Sequence, residues 1–82
     1  MPAKIEYKAS VERDLRRIDR KGVNRILKKI EEVLSEDPDK GLPLKGDYKG
    51  LYKLRVGNYR VVYSKLKARV LVLRIRHRKK VY

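Results

Sequence analysis

Lys53, Arg55 and Arg60 lie within a few residues of one another, and Arg74, Arg76, His77, Arg78, Lys79, Lys80 and Tyr82 crowd the segment after residue 73. Side chains of these types do two kinds of chemistry. Guanidinium forks hold phosphate oxygens through paired hydrogen bonds, and a lysine or histidine with suitable neighbours moves a proton. A tyrosine among cations adds a ring on which an unpaired RNA base can stack. The 82 residues hold 24 Lys and Arg against 10 Asp and Glu, a formal net charge of +14. Such an excess favours nucleic acid, an anionic membrane or an acidic protein as partner. The excess is also uneven: residues 1–47 carry 12 basic and 10 acidic side chains, whereas residues 48–82 carry 12 basic and none acidic. A composition biased toward charged, solvated surface would scatter Glu through both halves. The second half therefore reads as a surface for a polyanion, and its Tyr and His among cations suit RNA. With no carboxylate there to bind Mg²⁺ or act as base, protons must move through Lys, His, Arg, Tyr or the RNA itself.

The elements that position these groups must be few. A chain of this length buries only about 60% of its unfolded surface, which predicts a single domain over 1–82, one modest core and no large multi-step enzyme pocket. Phe, Trp and Cys are absent, so the core falls to Ile, Leu, Val and the six Tyr, and disulfides, thiolate metal sites and thiol nucleophiles are excluded. No metal and no small-molecule cofactor are expected. Met1-Pro2-Ala3-Lys4-Ile5-Glu6 runs directly into charged sequence, and no apolar span follows, which predicts a cytoplasmic protein without a membrane partner.

Lys4-Ile5-Glu6-Tyr7 alternates polar and apolar residues and predicts a short strand. Ser10 can then cap a helix that places Val11, Leu15 and Ile18 on one stripe, with a break around Asp19–Gly22. Val23, Ile26, Leu27, Ile30, Val33 and Leu34 recur at helical spacing opposite Arg25, Lys28, Lys29, Glu31 and Glu32, the pattern of a strongly amphipathic helix. Asp37-Pro38 stops it, and the stretch to Asp47 reads as a loop. From Leu51 the period becomes two, predicting strands over Leu51–Val56, Tyr59–Ser64 and Val70–Ile75, with turns at Gly57-Asn58 and near Lys65–Arg69. The expected fold is α+β in the order β-α-α-β-β-β: a two-helix hairpin on one face of a four-stranded sheet whose three C-terminal strands are antiparallel.

With Gly57-Asn58 as a two-residue loop, Val56 pairs with Tyr59, Arg55 with Arg60, Leu54 with Val61, Lys53 with Val62 and Tyr52 with Tyr63. The pleat then buries Tyr52, Leu54, Val56, Tyr59, Val61 and Tyr63 and leaves Lys53, Arg55 and Arg60 together on the other face. Like charges directly opposite cost up to about 1 kcal/mol, so folding alone does not favour Arg55 across from Arg60; a bound phosphate reverses the sign. The competing reading is a row of solvated charges on an exposed sheet face.

Leu44-Lys45-Gly46, the run Gly50–Tyr63, Val72-Leu73-Arg74-Ile75 and His77–Tyr82 together resemble the RelE family of bacterial and archaeal toxins, and the order of elements agrees along the whole chain. The resemblance implies the toxin of a type II toxin-antitoxin system, an endoribonuclease that enters the ribosomal A site and cuts messenger RNA without metal. The RNA 2′-hydroxyl attacks, leaving a 2′,3′-cyclic phosphate and a 5′-hydroxyl, and translation stops. By the same resemblance, Lys53 stands where the family has a proposed general base. Arg55 takes a second basic position, Arg60 that of the arginine on the scissile phosphate, Arg78 that of the cation at the leaving oxygen, and Tyr82 that of a base-stacking tyrosine. His77 would share the leaving-group role. Lys45, Lys49, Arg74, Arg76, Lys79 and Lys80 would bind RNA. Arg76 departs from the family pattern, where a small residue commonly precedes the His-Arg pair. The implied partners are messenger RNA, the ribosome and an acidic RelB-like antitoxin that folds on the toxin. Two alternatives stand beside this: inhibition of DNA gyrase, as in the ParE branch of the same fold, and RNA binding without chemistry.

Overall fold

The computed structural model describes residues 3–44, 46, 50–77 and 79. Its elements are β1 (Lys4–Tyr7), α1 (Ala9–Leu15), α2 (Arg20–Glu36), β2 (Leu42–Pro43), β3 (Leu51–Val56), β4 (Tyr59–Leu66) and β5 (Arg69–His77). The strands form one sheet in the order β1-β5-β4-β3-β2, with β1 parallel to β5 and the other neighbours antiparallel. This is the expected α+β layout with five strands instead of four. The additional strand, β2, is too short to show a period, and Pro43 suits only a sheet edge.

The core joins the stripe Ile26, Ile30 and Leu34 of α2 and Val11 of α1 to Leu54, Val56, Val61, Tyr63, Val70, Val72 and Ile75 of the sheet. Ile26, Ile30 and Leu34 follow one another at i, i+4, so α2 buries one stripe and leaves its Lys and Glu outside. The break between the helices comes earlier than the sequence predicts. α1 ends at Leu15, and Asp19 opens α2 by accepting a hydrogen bond from the Gly22 N–H at 3.1 Å. The last two strands are longer than expected, β4 continuing to Leu66 and β5 spanning Arg69–His77. Their backbones pair irrespective of side-chain polarity, so Arg76 and His77 are carried into the ladder opposite Arg60 and Tyr59.

β5 meets an unusual demand. β1 covers its outer edge only as far as the Tyr7↔Val72 pair. On its other side, a register shift between Val62 and Tyr63 leaves Leu73 out of the pairing with β4. Past that point β4 resumes its pairing but the outer edge of β5 has no strand partner, and α1 supplies one at Leu73 and Ile75. Ser10, expected as a helix cap, instead donates from Oγ to the Leu73 carbonyl at 2.7 Å, while α1 begins after Lys8 without a side-chain cap. Asp14, 8% exposed, accepts the Ile75 N–H at 2.9 Å and two hydrogen bonds from the Arg74 guanidinium at 2.9 and 3.0 Å. Burial alone would raise the Asp14 carboxyl, but the Arg74 hydrogen bonds, the Ile75 N–H and the charges of Arg74 and Arg76 outweigh it and hold it below its ordinary value.

Asp14→Asn should therefore cost about 2 kcal/mol near neutral pH, a value below that of a fully buried pair because Arg74 keeps some solvent contact. The folded-state value lies below the unfolded one, so Asp14 contributes fully above the unfolded carboxylate range and loses that contribution as pH falls through its folded value. Urea unfolding at a series of acidic pH values should show the two proteins converging. A constant gap throughout would refute this role.

Candidate functional site

The β3–β4 hairpin turns at Gly57 and Asn58, and Gly57 has φ 58°, the left-handed value that a type II′ turn requires at its first central residue. The resulting register is the one derived from the sequence: Val56↔Tyr59, Arg55↔Arg60, Leu54↔Val61, Lys53↔Val62 and Tyr52↔Tyr63. Leu54, Val56, Val61 and Tyr63 are buried, with Tyr52 and Tyr59 packed against them. Lys53, Arg55 and Arg60 share the opposite face, where they and Leu42 line a shallow basin of about 320 Å³. Val62, placed between Lys53 and Arg74 by the register, is only 5% exposed although it lies outside the main core. Arg60 also pairs with Arg76 of β5, so three arginines, Arg55, Arg60 and Arg76, stand in a row across three strands.

The acidic side chains of the first half neutralise other cations of the second. Lys65 pairs with Asp39, Arg69 with Glu6 at 3.3 Å and Arg74 with Asp14. Lys53, Arg55, Arg60 and Arg76 take part in no ion pair among the described residues. Arg74, expected to bind RNA, is thus engaged with Asp14, while Arg76 keeps its charge available. Lys79 is exposed, and its backbone N–H donates to His77 Nδ1 at 3.2 Å.

His77 does not join Lys53, Arg55 and Arg60. It pairs with Tyr59, whose ring it meets edge-on at 5.4 Å between centroids, and with Arg17 and Ile18 it lines a cavity of about 220 Å³ on the helix side. The alternation of β5 requires this: Ile75 points into the core, so His77, two residues on, shares its face and Arg76 takes the other. Counting outward from Ile75 would have revealed it in the sequence. Lys45, Lys49, Arg78, Lys80 and Tyr82 lie outside the described residues.

Leu42 was not foreseen at the site. It stands across from Lys53 on β2 and is 64% exposed, an apolar surface on which a base can lie beside the charges. Tyr63 holds it there. Its buried hydroxyl accepts the Gly41 N–H at 3.0 Å and donates to the Pro38 carbonyl at 2.8 Å, and burial pushes its acidity down. A side chain at Gly41 would strike the Tyr63 hydroxyl and, at 2.7 Å, the Lys53 carbonyl, so the approach of this loop to β3 demands glycine.

Residues 5–82 match the family model of the ParE toxin of the type II toxin-antitoxin system parDE. The fold is similar to the toxin-antitoxin complex RelBE2 of Mycobacterium tuberculosis, with 25% identity over 94% of this chain and 99% of that one and a TM-score of 0.83. It is similar to the YoeB/ParE toxin of Agrobacterium tumefaciens, with 30% identity over 90% and 96% of the two chains and a TM-score of 0.70. A mutant of the E. coli toxin RelE in complex with a peptide of its antitoxin shares 27% identity over 94% of this chain and 84% of that one, with a TM-score of 0.73. No curated protein matches the sequence significantly.

The Tyr63 clasp can be tested by itself. Tyr63→Phe should lower stability by about 1–2 kcal/mol, since it leaves the buried Gly41 N–H without its acceptor. Amide exchange at Leu44, whose N–H donates to the Leu51 carbonyl at 2.8 Å, should quicken as β2 loosens. Unchanged exchange there would show that β2 is held by other means.

Proposed function

The chain belongs to the ParE toxin family of type II toxin-antitoxin systems, within the RelE/ParE superfamily, and we propose that it is a ribosome-dependent endonuclease of messenger RNA. The observation that carries this is the set Lys53, Arg55 and Arg60, gathered on one open sheet face and left without carboxylate partners among the described residues. Opposing Arg55 and Arg60 weakens the hairpin unless an anion lies between them, and a scissile phosphate meets that need.

In this reading the Lys53 Nζ takes the proton of the RNA 2′-hydroxyl. The 2′-oxygen bonds to phosphorus, and the bond from phosphorus to the 5′-oxygen breaks. Arg60 and Arg55 hold the non-bridging oxygens as charge builds on them; arginine stays protonated and does this better than it could accept a proton. The family resemblance assigns Arg78 to the departing 5′-oxygen, where its fixed charge stabilises the developing negative charge, and the oxygen takes its proton from water. His77, on the helix side of the sheet, is not given that part. Leu42 supports a neighbouring base. An acidic antitoxin would silence the protein by covering the same positive face, as toxins of similar fold are found with antitoxin chains.

The second reading, inhibition of DNA gyrase, is favoured by the ParE family model itself. One experiment separates the two. Purified protein is added to programmed ribosomes and messenger 5′ ends are mapped by primer extension. Cleavage in the A site is expected, with Lys53→Ala and Arg60→Ala each slowing it about 10²–10⁴-fold. Absence of cuts, or equal cutting by the variants, counts against the nuclease. Trapped gyrase–DNA complexes in their place support the second reading.

A further inference from the structure

Arg76 belongs to more than one surrounding. It ends the row Arg55, Arg60, Arg76 on the sheet, and with Ser10, Arg13, Asp14, Arg17 and Arg74 it lines a cavity of about 220 Å³ against α1. It also borders the cavity of His77. The row covers about 10 Å at ordinary strand spacing. It leads onto α1 because β1 no longer covers this edge of β5 and α1 lies along it.

Four arginines and one aspartate line the cavity. That carboxylate is already occupied by Arg74 and the Ile75 N–H. α1 and the turn that follows it distinguish their arginines: Arg16 pairs with Glu12 at 3.2 Å, whereas Arg13 and Arg17 take part in no ion pair among the described residues. Arg13 and Arg17 line one cavity with Arg74 and Arg76, which brings like charges together there, and Arg60 facing Arg76 adds a second repulsion. Arg74 and the charge of Arg76 serve the buried Asp14 carboxylate, but Arg13 and Arg17 have no ion-pair partner among the described residues. A phosphodiester would turn both repulsions into attraction.

We propose that Arg13, Arg17 and Arg76 form a second phosphate-binding station, which holds the same RNA strand after it leaves the Lys53, Arg55 and Arg60 basin and crosses the edge of β5. The station rests on the RNA reading of that basin and extends the footprint from the sheet onto the first helix. Its ligand is the backbone of single-stranded RNA, without regard to base.

The test is binding of a fluorescent 2′-O-methyl oligouridylate, which has no 2′-hydroxyl to attack, by the full chain at increasing salt. Each phosphate contact contributes about 0.7 to the slope of log affinity against log salt for a single strand, so Arg13→Gln/Arg17→Gln should reduce the slope by about 1.4. Arg16→Gln/Lys28→Gln removes the same charge from residues that pair with Glu12 and Glu32 and should leave the slope unchanged. Equal effects of the two double variants, or no effect of the first, overturn the station. If Arg60→Gln lowers the slope while Arg13→Gln/Arg17→Gln does not, only the station falls. If the unaltered protein does not bind the oligonucleotide, the RNA reading of the whole face falls with it. An acidic helical peptide that needs Arg13 and Arg17, with RNA binding unaffected, would assign the cluster to a protein partner and overturn the proposal.

Discussion

The carboxylate of Asp14 decides how the far side of the sheet is built. β5 loses one strand neighbour after Val72 and steps out of register with the other at Leu73, so its backbone would carry unsatisfied polar groups where the core is being closed. Asp14 takes the Ile75 N–H, and Ser10 takes the Leu73 carbonyl. These bonds dock α1 along an edge that would otherwise be open to pairing with another chain. They also hold Ile75 in the core, and the side chains that follow inherit their faces from it: Arg76 outward beside Arg60, His77 inward beside Tyr59. A buried carboxylate on a seven-residue helix thereby sets which groups of β5 can meet a ligand.

Charge is distributed by the same logic. Nearly all the positive excess belongs to the second half of the sequence, yet folding does not expose that half uniformly. Asp14, Glu6 and Asp39 each reach a cation of the last two strands, and those three cations are neutralised. Among the described residues of this half, the arginines that escape, Arg55, Arg60 and Arg76, are the ones aligned across the sheet. Unopposed like charges at neighbouring ladder positions are an energetic cost that a purely structural surface would avoid by interspersing signs. The cost is understandable for a surface on which an anion completes the arrangement, and it accords with membership of a toxin family whose structural relatives occur with antitoxin chains.

At the opposite edge the device is smaller. Tyr63 spans the core and spends its hydroxyl on two backbone groups of the loop before β2, so a residue of the hairpin interior determines where Leu42 stands above the basin. Gly41 permits the approach. The basin is therefore framed from both sides by contacts made through or around the core: Tyr63 toward β2, Asp14 toward β5.

The sequence by itself determined what depends on neighbours along the chain. A two-residue turn at Gly57-Asn58 and a period of two set the hairpin register and put Lys53, Arg55 and Arg60 on one face, because every residue of a strand inherits its side from the turn. The i, i+4 stripe of α2 was legible for the same reason. Only the tertiary structure decided which partners meet across 60 residues of chain: that Ser10 serves a strand and not a helix end, that Arg74 is paired while Arg76 is not, that Leu42–Pro43 becomes an edge strand, and that Arg13 and Arg17 face the end of the arginine row. These follow from where a bulge interrupts β5 and where β1 stops. Both are set by how strands match in space, and no local pattern records them.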